Sequence, residues 1–460
     1  MRRAEGYISS RAGKRLEKIE TEIHFQHGRY VENEMINIFP ERRYQEVLGF
    51  GGAFTEASAY NYSRLDDEKK RKVIKAFFDQ EEGLGYNFCR THIHSCDFSL
   101  EQYTYIEEND TELKTFSIEQ DHKYIIPFIR AALETSEEIL LFASPWSPPA
   151  WMKSNGDMCR GGRLLEEYYG LWADYMVRYI KEYEKEGITF TAITVENEPG
   201  MPQAWESCVY TAREEAVFVH EYLRPALDKA GYQDIKILIW DFNKEFLYER
   251  VRDSFHVPGV KEDVWGIAYH WYAGDHFAGM DMVHELYQDK PMILTEAGLG
   301  GARGEARAGA YSTWENAEIY SRELIGGFNH YMSAAVEWNL ILDENGGPYH
   351  NRPMGGCKAP VIYNHETGEL SIQPVYYATA QFSRFIQRGA VRIGTSTFSE
   401  GIKAAAFENP DGNLILVVLN CMEIPYEVFI RLEEEIAEIS VPEKSLSTYV
   451  ISKAEAEKTE

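Results

Sequence analysis

Short apolar runs rich in β-branched and aromatic residues alternate with longer segments of helical periodicity from about residue 46 onward. This alternation is typical of consecutive βαβ units, which build a parallel sheet covered by helices. The eight runs lie at Val47–Phe50, Tyr86–Cys89, Ile139–Phe142, Ala192–Val195, Ile237–Trp240, Val264–Ile267, Met292–Thr295 and Ala334–Glu337. Eight parallel strands close a barrel, so the pattern predicts an α/β protein with a (β/α)8 TIM barrel.

Two of the intervening segments carry clear helical patterns. In the first, Ser63 stands in an N-cap position with Asp66 at the capping-box position, and apolar residues recur between positions 73 and 78. In the second, apolar residues recur from Leu164 to Ile180. We therefore expect one helix to begin at Ser63 and another to cover most of residues 164–180.

Both ends of the chain follow a different pattern. Beyond about residue 388 short strands alternate with turns, as where Asn409–Gly412 separates Ala404–Phe407 from Leu414–Val418. Near the start, Ile19–Phe25 alternates with a period of two, which predicts a strand. The predicted domains are a barrel at 46–387 and an antiparallel β-sandwich formed jointly by 1–45 and 388–460.

Composition excludes several classes of partner. The chain has 460 residues, 44% of them hydrophobic, and a formal net charge of -27, which would repel nucleic acid and anionic membranes. No stretch approaches the roughly 18 apolar residues of a membrane helix, and the start lacks the apolar run of a secretion signal, so we expect a cytoplasmic protein without membrane insertion. The six cysteines show no C-x-x-C spacing, which favours free thiols. The sequence gives no indication of oligomeric state.

Two acidic residues stand at the C-terminal ends of predicted barrel strands, where barrel enzymes carry their chemistry. Glu198 follows the fourth run within Glu196-Asn197-Glu198-Pro199, and Glu296 directly follows the seventh. A pair of carboxyl groups about 5 Å apart is the machinery of retaining glycosidases, in which one attacks the sugar and the other transfers a proton. Strand alternation places Glu196 and Glu198 on one face, so spacing alone does not choose between them.

Further motifs follow one another along almost the whole chain. They are Gly49-Phe50-Gly51-Gly52-Ala53-Phe54, Arg90, Ser95-Cys96-Asp97-Phe98-Ser99, the run from Ala143 through Trp146 to Lys153, Asn197-Glu198-Pro199, His270-Trp271-Tyr272, Thr295-Glu296, Trp338-Asn339-Leu340 and Gly346-Gly347-Pro348. In these motifs the chain resembles glycoside hydrolase family 30, of the glucosylceramidase (acid β-glucosidase) type.

The resemblance implies a (β/α)8 barrel with a β-sandwich built from both termini, and a role for each matching residue. It makes Glu198 the acid/base and Glu296 the nucleophile, and it implies no metal and no cofactor. It places Asp97, Trp146, Asn197 and Trp338 around the nonreducing-end sugar, with Asn197 at the 2-hydroxyl. It implies that Tyr272 bonds to the nucleophile, that Arg90 lies near it, and that His270 lines the same mouth.

The substrate implied is a carbohydrate or glycoside, with a terminal β-glucoside as the first expectation. After Gly-Gly-Pro the chain reads Tyr349-His350-Asn351-Arg352-Pro353, which departs from the family pattern where a loop reaches the sugar. The β-xylosidase, β-fucosidase and endo-acting β-glycanase activities therefore stay open. The missing secretion signal separates the chain from secreted and lysosomal relatives, so glucosylceramide itself is not implied.

Three other interpretations compete with this one. An H-x-H at His92 and His94, with His270, is the pattern of a metal-dependent barrel hydrolase, although further ligands are missing. A noncatalytic sugar-binding protein would keep the tryptophans but would not need both glutamates. The glycine-rich stretch from Gly298 to Gly304 lacks the Gly-Lys-Ser/Thr of a phosphate loop, so we expect a mobile loop over the active site.

Overall fold

The computed structural model describes residues 2–28, 33–136, 138–299, 313–350 and 357–453. Eight parallel strands close into a barrel in which each strand pairs with its neighbours in sequence order, and the eighth pairs with the first. They are Gly49–Phe54, Phe88–Ile93, Leu140–Pro145, Ala192–Thr194, Lys236–Asn243, Gly266–His270, Met292–Glu296 and Met332–Asn339. Every one overlaps a predicted run, so the barrel prediction is confirmed.

Apolar side chains fill the inside of the barrel. They come from strands two to eight and include Phe88, Phe142, Leu238, Ile293 and Val336, each 2% exposed or less. The inside of the barrel is therefore a packed apolar core rather than a channel.

Helices surround the barrel. The α-helices are Glu56–Ser63, Asp67–Phe78, Glu119–Lys123, Ile125–Leu133, Tyr169–Lys185, Ala212–Val217, Arg224–Lys229, Leu247–Ser254, Val260–Asp263, Phe277–Leu286, Thr313–Asn329 and Pro374–Ser383, with a π-helical turn at Phe218–Leu223 and 3-10 turns at Ala150–Met152, Glu166–Tyr168 and Lys244–Phe246. The predicted start at Ser63 is wrong, because Ser63 ends one helix and Asp66 is itself the N-cap of the next. The Asp66 carboxylate accepts from the Lys69 amide at 2.8 Å, which satisfies a free helix donor.

The second unit is a mostly antiparallel β-sandwich, in one sheet of 11 strands among the described residues, which draws on both ends of the chain. One of its pairs is parallel, that between Met35–Glu46 and Tyr426–Leu432. Its strands are Arg3–Ser10, Glu17–Lys18, Ile23–His24, Gln26–His27, Met35–Glu46, Val391–Ser396, Ile402–Glu408, Leu414–Asn420, Tyr426–Leu432, Glu435–Val441 and Ser445–Ile451. The strand from Arg3 pairs antiparallel with the last strand, and the strand from Met35 pairs with that from Val391. We propose that the boundaries between the barrel and the sandwich lie near residues 46 and 388.

Two local strand predictions had different outcomes. The hairpin around Asn409–Gly412 is confirmed, with Ala405 opposite Val417. The single strand over Ile19–Phe25 is wrong, because only Ile23–His24 is extended and paired there. A separate three-stranded sheet, Ile341–Asp343, Val361–Tyr363 and Leu370–Ile372, follows the eighth barrel strand.

In the parts of the chain that the structure describes, no helix is long and apolar enough to cross a membrane. All six cysteines are free, and five of them are buried. The prediction of free thiols is therefore confirmed.

Candidate active site

A cavity of about 260 Å³ opens at the C-terminal ends of the barrel strands. Seven of the residues singled out in the sequence line it: Asp97, Trp146, Asn197, Glu198, Tyr272, Glu296 and Trp338. The other two, Arg90 and His270, are fully buried and contact its carboxylates. The structure thus brings all nine predicted site residues together at one end of the barrel.

Glu198 reaches the cavity because the chain leaves the strand before it. The fourth strand ends at Thr194, and Glu198 itself has a left-handed φ of 53°. Its amide donates to the Asp241 carbonyl at 3.0 Å, which fixes this conformation. The expectation that strand alternation places Glu196 and Glu198 on one face is wrong, because the strand ends before both residues. Glu196 is fully buried away from the cavity, near Lys153.

The surroundings of Glu198 favour its protonated form. Burial raises the pKa of the Glu198 carboxyl, and the nearby charge of Glu296 adds to this, against a lowering by His270. The Gln203 side-chain amide donates to Oε2 of Glu198 at 2.8 Å. A carboxyl group with a raised pKa can give a proton near neutral pH, as a general acid must.

Glu296 is held by two donors. Arg90 donates to Oε2 at 2.8 Å and the Tyr272 hydroxyl donates to Oε1 at 2.6 Å. The Tyr272 oxygen in turn accepts from the Gly298 amide at 2.9 Å, so its proton is directed at Glu296. These contacts orient the carboxylate and compensate a negative charge on it.

The two glutamates and His270 each offer an atom within 4.8 Å of the others' atoms. Nε2 of His270 lies 3.1 Å from Oδ1 of Asp241, and Nδ1 lies 3.3 Å from Oε1 of Glu198. Burial lowers the pKa of His270, but the carboxylates of Glu296, Asp241 and Glu198 outweigh it and raise the pKa to about 9. A protonated His270 therefore partly offsets the charge of the acidic cluster.

Asp241 is a site residue that the sequence reasoning missed. Arg90 and Thr194 donate to one of its oxygens, at 2.8 and 2.9 Å, and Thr295 donates to the other at 2.6 Å. Burial raises the pKa of Asp241, but Arg90 and the hydrogen bond from His270 outweigh burial and keep the pKa well below its ordinary value. A signal for it existed, because Asp241 directly follows the fifth apolar run, as Glu296 follows the seventh.

Aromatic side chains form one wall of the cavity. Trp146 and Trp338 stack with ring centroids 5.2 Å apart at 21°, and the Arg90 guanidinium lies 4.8 Å from the Trp146 centroid. Flat aromatic walls suit the C–H faces of sugar rings. Met201, Gln203 and Trp205, which sequence reasoning did not select, extend the cavity on the loop after the fourth strand.

The histidines of the H-x-H motif have other partners. Nε2 of His92 accepts from the Glu56 amide at 3.0 Å, and Nδ1 contacts the His94 carbonyl. His94 uses its two nitrogens on the Tyr175 hydroxyl and the Ser147 carbonyl. Both rings are buried, which lowers the pKa of each to about 4. Within the described chain the one group that could hold a metal is Glu198, His270 and Glu296.

Two sequence features extend beyond the described residues. Of the glycine-rich stretch, Gly298 and Leu299 are described, and residues 300–304 lie outside. Of the departure after Gly-Gly-Pro, Tyr349 and His350 are described, and Asn351, Arg352 and Pro353 lie outside.

Comparison with known proteins now defines the family. The glycosyl hydrolase family 30 TIM-barrel model matches residues 47–386, and the family 30 β-sandwich model matches 389–449. The chain belongs to glycoside hydrolase family 30. It is a glycoside hydrolase, and its substrate is a carbohydrate or glycoside.

Several relatives cover nearly the full chain. Lysosomal acid glucosylceramidase of Mus musculus is 32% identical over 431 residues, which is 90% of this chain and 82% of that protein. The structure of SrfJ from Salmonella typhimurium superposes with a TM-score of 0.94 at 31% identity, covering 99% of this chain and 100% of that one. The structure of the endo-beta1,6-glucanase BT3312 has a TM-score of 0.84 at 26% identity, covering 98% and 100%.

Proposed function

We propose that this enzyme is a retaining β-glycosidase that removes a terminal β-linked sugar, with Glu296 as nucleophile and Glu198 as acid/base. The separation of the two carboxylates carries the proposal. Retaining enzymes hold them about 5–5.5 Å apart, whereas inverting enzymes need about 6.5–9.5 Å to admit a water molecule. Here the Glu198 and Glu296 oxygens come within 4.8 Å.

The reaction runs in two displacements. In the first, an oxygen of Glu296 attacks the anomeric carbon while Glu198 gives its proton to the glycosidic oxygen, and the aglycone leaves as an alcohol. In the second, Glu198 takes a proton from water, the water oxygen attacks the anomeric carbon, and the bond to Glu296 breaks. Arg90 and Tyr272 bind the Glu296 carboxylate before attack and after release.

The remaining cavity residues supply binding. We assign Asp97, Trp146, Asn197 and Trp338 to the nonreducing-end sugar. The Asn197 side-chain oxygen accepts from Arg90 at 2.9 Å, which leaves its amide hydrogens for the sugar's 2-hydroxyl, a contact that strengthens in the transition state.

Glucose is the sugar that the relatives favour. The mouse relative is named a glucosylceramidase, and BT3312 is named an endo-β1,6-glucanase. Both names refer to a glucose unit, and the name of BT3312 specifies a β-1,6 linkage and endo action. We propose exo action on β-glucosides, with β-xylosides, β-fucosides and internal β-glucan bonds as the competing substrates.

Hydrolysis of p-nitrophenyl β-glucoside, followed by proton NMR, tests both parts of this proposal. The β-anomer of glucose is expected first, with the α-anomer appearing later by mutarotation, because two displacements retain configuration. Turnover is expected to be faster than with the β-xyloside, the β-fucoside or a β-1,6-glucan. First appearance of the α-anomer would overturn the assigned geometry, and preference for another substrate would overturn the sugar assignment.

A further inference from the structure

A buried ion pair lies behind the sugar-binding wall. Nε2 of His350 lies 2.6 Å from Oε1 of Glu206, with side chains 13% and 0% exposed. Oε1 also accepts from the Ser95 hydroxyl at 2.9 Å. These three residues belong to the loops after the eighth, fourth and second barrel strands, so one carboxylate joins three loops of the active-site face.

The geometry requires a charged histidine. The second ring nitrogen of His350 lies 2.9 Å from the Ser99 carbonyl oxygen. Both neighbours of the ring are acceptors, so both nitrogens carry protons. Burial lowers the pKa of His350, but the hydrogen bond and charge of Glu206 outweigh it and the pKa is raised. Salt bridges of this kind are costly to break from one side, because the other charge stays buried.

The ion pair acts on the segment that carries Asp97. The His350 backbone amide donates to the Asp97 carbonyl at 3.1 Å, and the His350 ring contacts the Ser99 carbonyl two residues further on. Next to it, the Tyr349 ring meets the Phe98 ring edge-on at 6.2 Å, and Phe98 meets Trp338 in the same way at 5.8 Å. Residues 349 and 350 therefore clamp residues 97–99 against the cavity wall.

We propose that the His350–Glu206 ion pair is a positioning device that sets Asp97 for recognition of the nonreducing-end sugar. The inference rests on the proposed function, since it takes Asp97 as a sugar ligand. Neither residue of the pair lines the cavity, and both act through Asp97.

A double-mutant cycle tests the proposal, with p-nitrophenyl β-glucoside as the probe. His350→Gln is expected to lower kcat/KM by about 10- to 100-fold, mainly through KM, because small misplacements of a positioning group have effects of this size. In an Asp97→Asn background the same change is expected to lower kcat/KM by less than a further factor of about two, since the group it positions is already altered. Glu206→Gln, which keeps the shape and removes the charge, should behave like His350→Gln.

The controls separate positioning from folding and from the proposed function. All rates are taken per active site titrated with 2-deoxy-2-fluoro-β-glucosyl fluoride, so unfolded protein does not count. His365→Gln, a histidine that contacts Asn61 beyond the cavity, is expected to leave KM unchanged. The positioning role would be overturned if KM were unchanged in both His350→Gln and Glu206→Gln. It would also be overturned if the loss of kcat/KM in the double variant equalled the product of the losses in His350→Gln and Asp97→Asn. An unmodified enzyme that neither titrates nor turns over would instead overturn the proposed function.

Discussion

Replacing Glu296 by Gln is expected to lower kcat for p-nitrophenyl β-glucoside by about 10⁴-fold or more, the scale seen when a nucleophile is removed from an active site. The amide is nearly isosteric but cannot form a stable glycosyl ester. It also places an NH2 group against Arg90 or Tyr272, both of which donate to the carboxylate. Steady-state kinetics with the purified variant measure the loss.

The matched control is Glu196→Gln. Glu196 is fully buried away from the cavity, and burial raises the pKa of its carboxyl well above the ordinary value, so an uncharged amide of the same shape is expected to be tolerated there. This variant is expected to keep its activity. Prolonged chelation with EDTA should also leave the unmodified enzyme active. Retained turnover in Glu296→Gln, or loss on chelation, would favour a metal-dependent hydrolase at Glu198, His270 and Glu296.

Replacing Glu198 by Ala is expected to give losses that depend on the leaving group. Phenyl β-glucoside needs a proton on its departing oxygen, and its kcat/KM should fall by about 10²–10⁴-fold, the usual contribution of a general acid. With 2,4-dinitrophenyl β-glucoside the dinitrophenolate leaves without that proton, so the rate of the first displacement should change little. The second displacement should slow, because no general base activates water. Azide needs no general base, so it should restore turnover of this substrate and give β-glucosyl azide.

The outcome that contradicts the acid/base assignment is an equal loss for both leaving groups. Such a result would mean that Glu198 binds the sugar or supports the fold. In Glu196→Gln the two substrates should keep the ratio of the unmodified enzyme.

The barrel was predictable because its strands are buried on both faces and therefore read as continuous apolar runs. The strands of the β-sandwich were less predictable than those of the barrel. Of the sandwich's two long N-terminal strands, Met35–Glu46 has charged, exposed residues in its second half, and Arg3–Ser10 begins with exposed charged residues, so neither forms a continuous apolar run. The weak alternation of Ile19–Phe25 predicted a strand there instead, but long-range pairing with the C-terminal strands decides which segments are extended.

The pair of Glu198 and Glu296 was found because a carboxylate after an apolar barrel strand is a recognisable pattern. The choice between Glu196 and Glu198 needed the resemblance, since a left-handed residue at position 198 breaks the alternation that spacing assumes. Asp241 was missed although it directly follows the fifth apolar run, whereas the His350–Glu206 pair was not found because its significance lies in a contact between loops far apart in sequence. Local patterns carry no signal for such contacts.

Trapping of the glycosyl-enzyme tests the central claim most directly. With 2-deoxy-2-fluoro-β-glucosyl fluoride the fluoride leaves readily, while the 2-fluoro group slows hydrolysis of the intermediate, so the covalent species accumulates. Digestion and mass spectrometry are expected to find one label per chain, on Glu296. A label on another residue, or no label in an enzyme that hydrolyses aryl β-glucosides, would contradict the mechanism.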